Sequence, residues 1–131
     1  MMFVVMTFNM YSQAYKIDVT FNNLKNQELI IGHHFNSQLI PDDTIKLDNK
    51  GYGVFKGNEA FPGGMYFFFL PNKTYFDFLL DDDQQFSVIG DTFDFVNTVS
   101  FKGSEENTIF IEYQKNFRDA SIRQNDLITL R

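Results

Sequence analysis

The feature that most constrains the fold is the segment from Phe61 to Asn107, where short apolar runs alternate with turn residues and almost no linker remains. Turns such as Pro71-Asn72-Lys73 and Asp81-Asp82-Asp83-Gln84 separate runs whose length is typical of strands. Short connections favour antiparallel neighbours. We therefore predict a mainly β fold, an antiparallel β-sandwich or open barrel of about seven to nine strands, closed by a C-terminal helix.

Composition and charge limit the classes of function. The chain has 131 residues, enough for one domain with its own core, and its 17 Phe and 6 Tyr suit a strand-rich interior. Its formal net charge of -6 and its scattered basic residues argue against nucleic acid as a partner. Because Cys is absent, the chain has no disulfide, no thiolate nucleophile and no Cys-ligated metal.

The N-terminus differs from the rest of the chain. An apolar run precedes Ser12-Gln13-Ala14, whose small residues suit a signal peptidase, although no Lys or Arg comes before the run. We interpret residues 1–14 as a signal-peptide remnant cleaved after Ala14 and expect a periplasmic or secreted protein. The alternative is a native strand over Met2 to Phe8. The run is too short to span a bilayer as a helix, and we predict no transmembrane segment.

Residues 15–103 form the predicted β-rich domain. Alternation over Tyr15 to Phe21 predicts a half-buried strand, and Glu28 to His33 a second one. We expect Asn36 to Asp43, which contains Pro41, to be a loop. Thr44 to Leu47 and Tyr52 to Lys56 are predicted to form a hairpin around the turn Asp48-Asn49-Lys50-Gly51.

The Phe-rich runs that follow should form the centre of the sheet. Met65 to Leu70 is apolar on both faces, which predicts a central strand covered on both sides. Asp91 to Phe101 is expected to give one or two short final strands. The predicted core residues alternate along three strands: Tyr66, Phe68, Phe76, Phe78, Phe86 and Val88.

Residues 104–131 are predicted to be a C-terminal helix and the start of a connector. Ser104 is a suitable N-cap, and the acids that follow it suit the helix dipole. Phe110, Tyr113, Phe117 and Ala120 recur at helical spacing. We expect this apolar face to pack on the sheet or on a neighbour outside the sequence, with a poorly anchored continuation past Ile122.

Several residues invite a chemical interpretation. His33 and His34 are the only imidazoles, but adjacent strand residues point to opposite faces and cannot share one metal. Asp81-Asp82-Asp83 lacks the spaced oxygens, glycine and distal Glu of a calcium loop, which favours an acidic turn. Asp91 and Asp94 have the chemistry of a general acid and base, but no pocket signature accompanies them.

Two turn motifs complete the candidates. Gly63-Gly64 precedes a strand rather than a helix, which indicates a turn and not a phosphate cradle. Asn72-Lys73-Thr74 matches a glycosylation acceptor, but Asn at this position also suits a hairpin turn. We therefore predict no catalytic, cofactor-binding or metal-binding residue, no cofactor, and no enzymatic activity.

Taken together, the spaced turn and strand signatures from about Tyr15 to Phe117 resemble one family. The segments that carry the resemblance are Asp43 to Asp48 with Gly51, Phe55-Lys56-Gly57, Pro62 to Tyr66, Leu70 to Lys73, Tyr75-Phe76-Asp77, Phe86-Ser87, Asp91-Thr92, Asp94-Phe95-Val96, Phe101 to Asn107, Phe110 and Tyr113-Gln114. This family is the β-rich N-terminal domain of unknown function found in secreted thioredoxin-like, thiol-disulfide-reductase-like proteins of Gram-negative bacteria.

The resemblance implies that the catalytic residues lie in a domain other than this one. In such proteins the redox work belongs to a Cys-x-x-Cys motif in a C-terminal thioredoxin-like domain, and this chain has no Cys to match it. The first hypothesis is a non-catalytic accessory domain with a thioredoxin-like domain as its partner, in cis or in trans. The second is a stand-alone periplasmic binding or structural protein whose sheet face or edge holds a small hydrophobic ligand or peptide. The oligomeric state is left open.

Overall fold

The computed structural model describes residues 14–129 of the chain, with side chains described over residues 14–117. It contains eight strands, followed by a long C-terminal helix. The strands are β1 (Tyr15–Phe21), β2 (Glu28–Phe35), β3 (Gln38–Lys46), β4 (Tyr52–Gly57), β5 (Gly64–Phe69), β6 (Tyr75–Leu80), β7 (Gln85–Gly90) and β8 (Ser100–Lys102). The helical elements are a 3₁₀ turn (Thr92–Asp94), α1 (Phe95–Thr98) and α2 (Glu105–Thr129).

The strands form two four-stranded sheets. One has the order β4-β1-β7-β8 and the other the order β3-β2-β5-β6. All neighbouring strands are antiparallel except β1 and β7, which run parallel. The predicted mainly β fold is confirmed as a β-sandwich with a C-terminal helix, and neither sheet closes into a barrel.

The core lies between the two sheets, as the alternation in the sequence predicts. Ile17, Val19 and Phe21 of β1 are fully buried and face the other sheet. The six predicted core residues are confirmed, because five are buried and Phe76 packs against them partly buried. The Phe76 ring stacks on that of Phe95 with centroids 4.1 Å apart. Burial of these aromatic rings is the main source of stability for such a sandwich.

The predicted loop from Asn36 to Asp43 is wrong, because β3 occupies most of it. Pro41 lies in β3, which is an edge strand, and edge strands tolerate proline because one side of their backbone needs no partner. The register shifts between Ile31 and Gly32, and Gly32 pairs with Pro41. A Cβ at Gly32 would lie 2.3 Å from the Ile40 carbonyl oxygen, so this irregular pairing needs glycine.

The predicted hairpin of Thr44 to Leu47 with Tyr52 to Lys56 is also wrong. The turn between them forms, with Gly51 at a φ of +76° and the Asp48 carboxylate accepting from two backbone N–H groups. However, β3 and β4 belong to different sheets, so the turn crosses from one sheet to the other. Local turn residues set the reversal but not the pairing of the strands beside it.

The segment Asp91 to Phe101 forms less strand than predicted. The 3₁₀ turn and α1 precede the three-residue β8. The Asp91 side chain accepts from the Phe93 N–H and thereby caps the 3₁₀ turn. Asp91 thus starts a 3₁₀ turn where a strand was predicted.

Helix α2 begins as predicted but buries a different face. The Ser104 hydroxyl accepts from the Asn107 N–H at 3.3 Å, which confirms Ser104 as the N-cap. Asn107 and Ile111 are buried and Phe110 is half-buried, whereas Tyr113 and Phe117 are largely exposed. The predicted packing on the sheet is therefore wrong for Tyr113 and Phe117, and the alternative packing on a neighbour outside the sequence stays a prediction. The polar Asn107 is the reason, because its side-chain amide bonds to the edge of β6 and orients the helix.

Some predictions fall on parts of the chain outside this description. Residues 1–13 are not described, so the signal-peptide interpretation of residues 1–14 and the alternative strand over Met2 to Phe8 stay predictions. The same holds for the side chain of Ala120 and the anchoring of the helix past Ile122. Within residues 14–129, no helix combines the length and apolar character needed to cross a membrane.

Candidate functional site

The two histidines are held by separate carboxylates. His33 Nδ1 lies 2.8 Å from Asp42 Oδ2, and His34 Nε2 lies 2.6 Å from Asp77 Oδ1. Asp42 belongs to β3 and Asp77 to β6, on opposite sides of the β2–β5 pair. Each imidazole therefore ties strands of one sheet together. Among the side chains of residues 14–117, no three His, Asp or Glu converge as a metal site would require.

A hollow at one end of the sandwich contains the first of these pairs. It has a volume of about 270 Å³, and His33, Asp42, Phe61 and Tyr66 contribute to its lining. Burial, followed by the charge of Asp42, raises the pKa of the Tyr66 phenol. The phenol donates to the Pro62 carbonyl oxygen at 2.5 Å. Gly63 and Gly64 also line the hollow, Gly63 in the bend before β5 and Gly64 as its first residue, and they do not form a phosphate cradle.

Asp91 and Asp94 lie close in sequence but serve local structure. Asp91 caps the 3₁₀ turn, and its carbonyl oxygen accepts from the Thr98 hydroxyl. The Asp94 carboxylate accepts from the Asn97 side-chain amide at 2.9 Å. Asn72 has a similar structural role in its turn, where its side-chain oxygen accepts from the N–H and the hydroxyl of Thr74. These contacts account for the residues without invoking catalysis.

The acidic turn Asp81-Asp82-Asp83 packs beside the first turn of α2. Together with Glu105, Glu106 and Ile109, the three Asp residues line a shallow hollow. One Glu106 carboxylate oxygen is buried without a hydrogen-bond partner. Burial raises the pKa of the Glu106 carboxyl, and the Asp81 charge raises it further, while a hydrogen bond from the Asp81 backbone opposes both. Like charges therefore meet at this end of the helix.

Glu106→Gln should stabilise the chain at neutral pH by roughly 0.5 kcal/mol, the scale of charge contacts at partly exposed sites. The folded chain holds the Glu106 proton more tightly than the unfolded chain, so wild-type stability falls as pH rises from the unfolded pKa through the folded pKa. The difference in free energy of unfolding between variant and wild type should grow across that window. Urea denaturation at a series of pH values measures it. A constant difference, or a less stable variant at neutral pH, would contradict the prediction, and Glu112→Gln on the same helix is the control.

The most unusual surface is the outer face of the β3-β2-β5-β6 sheet. The register aligns Ile30, Phe69 and Tyr75 in one row across β2, β5 and β6. The next row across the same strands contains Gly32, Phe67 and Asp77. Apolar side chains from all four strands contribute to this face, which we call the aromatic face: Ile30, Leu39, Pro41, Met65, Phe67, Phe69 and Tyr75.

Phe67 anchors the aromatic face from beneath. Its side chain is only 2% exposed although it points away from the core between the sheets. The rings of His34 and Tyr75 meet it edge-on, with centroids 5.6 and 6.0 Å away. The missing side chain of Gly32 leaves the room that its ring occupies, since a Cβ there would lie 2.5 Å from the ring. A buried aromatic outside the core gives this face a rigid base.

A shallow cavity opens on the aromatic face. Its volume is about 170 Å³, and Ile30, Leu39, Pro41, Phe67 and Phe69 line it. Small-molecule sites usually measure about 300–1,000 Å³. This cavity therefore suits one inserted apolar side chain better than a whole ligand.

The outer face of the other sheet is different in character. Its outward positions carry mainly charged, amide and hydroxyl side chains, namely Lys16, Asp18, Thr20, Lys56, Gln85, Ser87, Ser100 and Lys102, with Val54 and Ile89 as aliphatic exceptions. The Tyr52 hydroxyl there donates to the Asp18 carboxylate at 3.0 Å. An exposed sheet face with alternating polar residues is the ordinary solution for a soluble sandwich. The aromatic face departs from it.

The aromatic face was not predicted, although the sequence contains a signal for it. The run Met65 to Leu70 is apolar at every position, and the prediction of a central strand is confirmed. Both sides of this strand were predicted to be covered. On the outer side, however, Met65 is 40% exposed and Phe69 is only half-buried. Leu39 and Pro41 escaped notice because their strand was predicted as a loop.

These features define a two-sheet β-sandwich domain with a C-terminal helix and one apolar outer face. The chain belongs to the family described as "Domain of unknown function (DUF4369)", whose model matches residues 15–110. The match runs from β1 to the first turns of α2 and includes the whole aromatic face. None of the curated proteins compared with the chain is significantly similar to it.

Proposed function

We propose that this domain is a non-catalytic interaction module of the cell envelope, and that its aromatic face docks a thioredoxin-like thiol-disulfide oxidoreductase domain. The observation that carries the proposal is the contrast between the two outer faces of the sandwich. One is mainly polar, with isolated aliphatic residues, and the other presents aliphatic and aromatic side chains around a cavity. Contiguous apolar patches on soluble domains mark interaction sites.

The chemistry of the chain supports a role as partner rather than catalyst. Thiol-disulfide exchange requires a thiolate, and the sequence has no Cys. A thioredoxin-like domain would supply the redox chemistry, as the sequence resemblance implies. The aromatic face would supply the apolar centre of the interface, where a few buried aromatic and aliphatic anchors usually carry most of the binding energy.

The size of the cavity bears on the alternative function, the binding of a small hydrophobic ligand or peptide. At about 170 Å³ the cavity holds one side chain of an apposed protein or of an extended peptide. A peptide therefore remains the form of this alternative that the cavity favours.

Leu39→Lys should weaken binding of the thioredoxin-like domain by at least about tenfold, because Leu39 lines the cavity and the loss of a hot-spot contact costs about 2 kcal/mol or more. The domain to use is the one with a Cys-x-x-Cys motif encoded in the same or the adjacent reading frame, purified and titrated by calorimetry. Leu39 and the control Ile89 are 36% and 40% exposed aliphatic strand residues on opposite outer faces. Ile89→Lys should leave the affinity unchanged.

Three results would overturn the proposal. They are a gene neighbourhood without such a domain, a wild-type chain that does not bind it, and an equal loss of affinity in both Lys variants. If the domain does not bind while an apolar peptide binds the wild type and not Leu39→Lys, the peptide-binding alternative replaces the proposal.

A further inference from the structure

A second apolar surface runs along α2. Ile109, Tyr113 and Phe117 are 59, 64 and 65% exposed, although each is a large apolar side chain. Their spacing of four residues places them on one face of the helix. The rings of Tyr113 and Phe117 stack with centroids 6.4 Å apart, which orders the stripe before any partner arrives. We call these three residues the helix stripe.

The helix stripe points away from the sandwich. The opposite face of α2 carries the buried residues Asn107 and Ile111, and the helix contacts β6, β8 and α1. The helix has 25 residues and is therefore about 37 Å long. An isolated helix is marginal in water without packing of an apolar face. A partner on the stripe would provide that packing.

The distribution of charge along the helix selects the partner. Residues 105–114 contain three Glu and no basic residue, and Asp81, Asp82 and Asp83 lie beside Ile109. Residues 115–129 of α2 contain three Lys or Arg and two Asp, so this half of the helix has a net charge of +1. A parallel copy would place acid against acid, whereas an antiparallel copy places the acidic half against the basic half. We propose that the helix stripe binds a second copy of this chain, with the two α2 helices antiparallel.

The proposed pairing has a definite register. A two-fold axis close to Tyr113 brings Ile109 of one chain next to Phe117 of the other and places the two Tyr113 rings together. Such an interface is self-complementary, as a two-fold dimer requires. It leaves the aromatic face free, so it is independent of the proposed docking function.

Sedimentation of the full 131-residue chain over micromolar to millimolar concentrations tests the association. We expect a concentration-dependent dimer, and Tyr113→Glu should weaken it at least tenfold because two carboxylates then meet at the axis. The control is Phe93→Glu, since Phe93 is 86% exposed and lies in the 3₁₀ turn rather than in α2. A chain that stays monomeric at every concentration, or that loses the dimer equally with both variants, would overturn the inference.

Cysteine cross-linking tests the orientation, and the absence of native Cys removes any background. Ile109→Cys mixed with Phe117→Cys should form a disulfide under mild oxidation, and Tyr113→Cys should form one with itself. Ile109→Cys alone should not. Efficient cross-linking of Ile109→Cys with itself would indicate a parallel pair and overturn the inference.

The two proposals fail separately. Leu39→Lys should dimerise like the wild type, because Leu39 lies on the aromatic face and not on α2. Conversely, Tyr113→Glu should bind a thioredoxin-like domain with unchanged affinity per chain. A monomeric chain that still binds that domain through Leu39 would refute the dimer alone.

Discussion

Phe68→Ala should lower the free energy of unfolding by about 3–5 kcal/mol, the usual cost of deleting a fully buried Phe side chain. Phe68 is 0% exposed in the central strand β5. Its ring stacks on Phe78 with centroids 4.2 Å apart and also contacts the rings of Phe21 and Phe55. Its removal would leave a cavity between the two sheets that rigid neighbours in both sheets cannot fill.

Urea or guanidinium denaturation followed by tyrosine fluorescence and circular dichroism measures this loss. Phe93→Ala is the matched control, because Phe93 is almost fully exposed and its removal should change stability by less than about 0.5 kcal/mol. A loss below about 1 kcal/mol for Phe68→Ala would mean that β5 does not carry the core.

Asn107→Ala should cost about 2–4 kcal/mol, because it leaves two backbone groups of β6 without partners, each worth about 1–3 kcal/mol when buried. The Leu79 N–H donates to Asn107 Oδ1 at 2.7 Å, and Asn107 Nδ2 donates to the Leu79 carbonyl oxygen at 2.8 Å. Asn107 is 0% exposed and its amide also donates to the Ser104 hydroxyl. The side chain thus acts as one more peptide unit at the edge of the sheet.

Denaturation combined with far-ultraviolet circular dichroism would show whether α2 also detaches. Asn107→Asp should not restore stability, because a carboxylate accepts from the Leu79 N–H but faces the Leu79 carbonyl oxygen with a second acceptor. Asn97→Ala is the control, since Asn97 bonds only an exposed Asp94 carboxylate among the contacts described. Equal losses for Asn97→Ala and Asn107→Ala would contradict the proposed role of Asn107 at the edge of β6.

Buried side-chain amides satisfy backbone groups both at the edge of β6 and in the loop before β5. Gln84 is 6% exposed, accepts from the Phe61 N–H and donates to the carbonyl oxygens of Phe61 and Asp81. Neither Asn107 nor Gln84 stands out in the sequence, because a polar residue near a turn is usually solvated. Their importance depends on backbone groups that only the tertiary structure brings to them.

The aromatic face shows a second limit of predicting structure from sequence patterns. Alternation reports that one side of a strand is apolar, and a continuous apolar run reports that both sides are. It does not report whether the second side is covered by the same chain. The run at Met65 to Leu70 correctly predicted a central strand, but the partial exposure of Met65 and Phe69 depends on the arrangement of the neighbouring strands.

Local chemistry in the sequence was sufficient for the β class, the alternating core of β1 and β5 to β7, the turn at Gly51 and the start of α2 at Ser104. These features depend on backbone preferences and side-chain direction within a few residues. Only the tertiary structure decided that β3 and β4 lie in different sheets, that β1 runs parallel to β7, and that Asn107 rather than Tyr113 faces the sandwich. The reason is physical. Strand pairing and helix orientation are set by the joint burial of residues far apart in the chain, so no single segment contains the information.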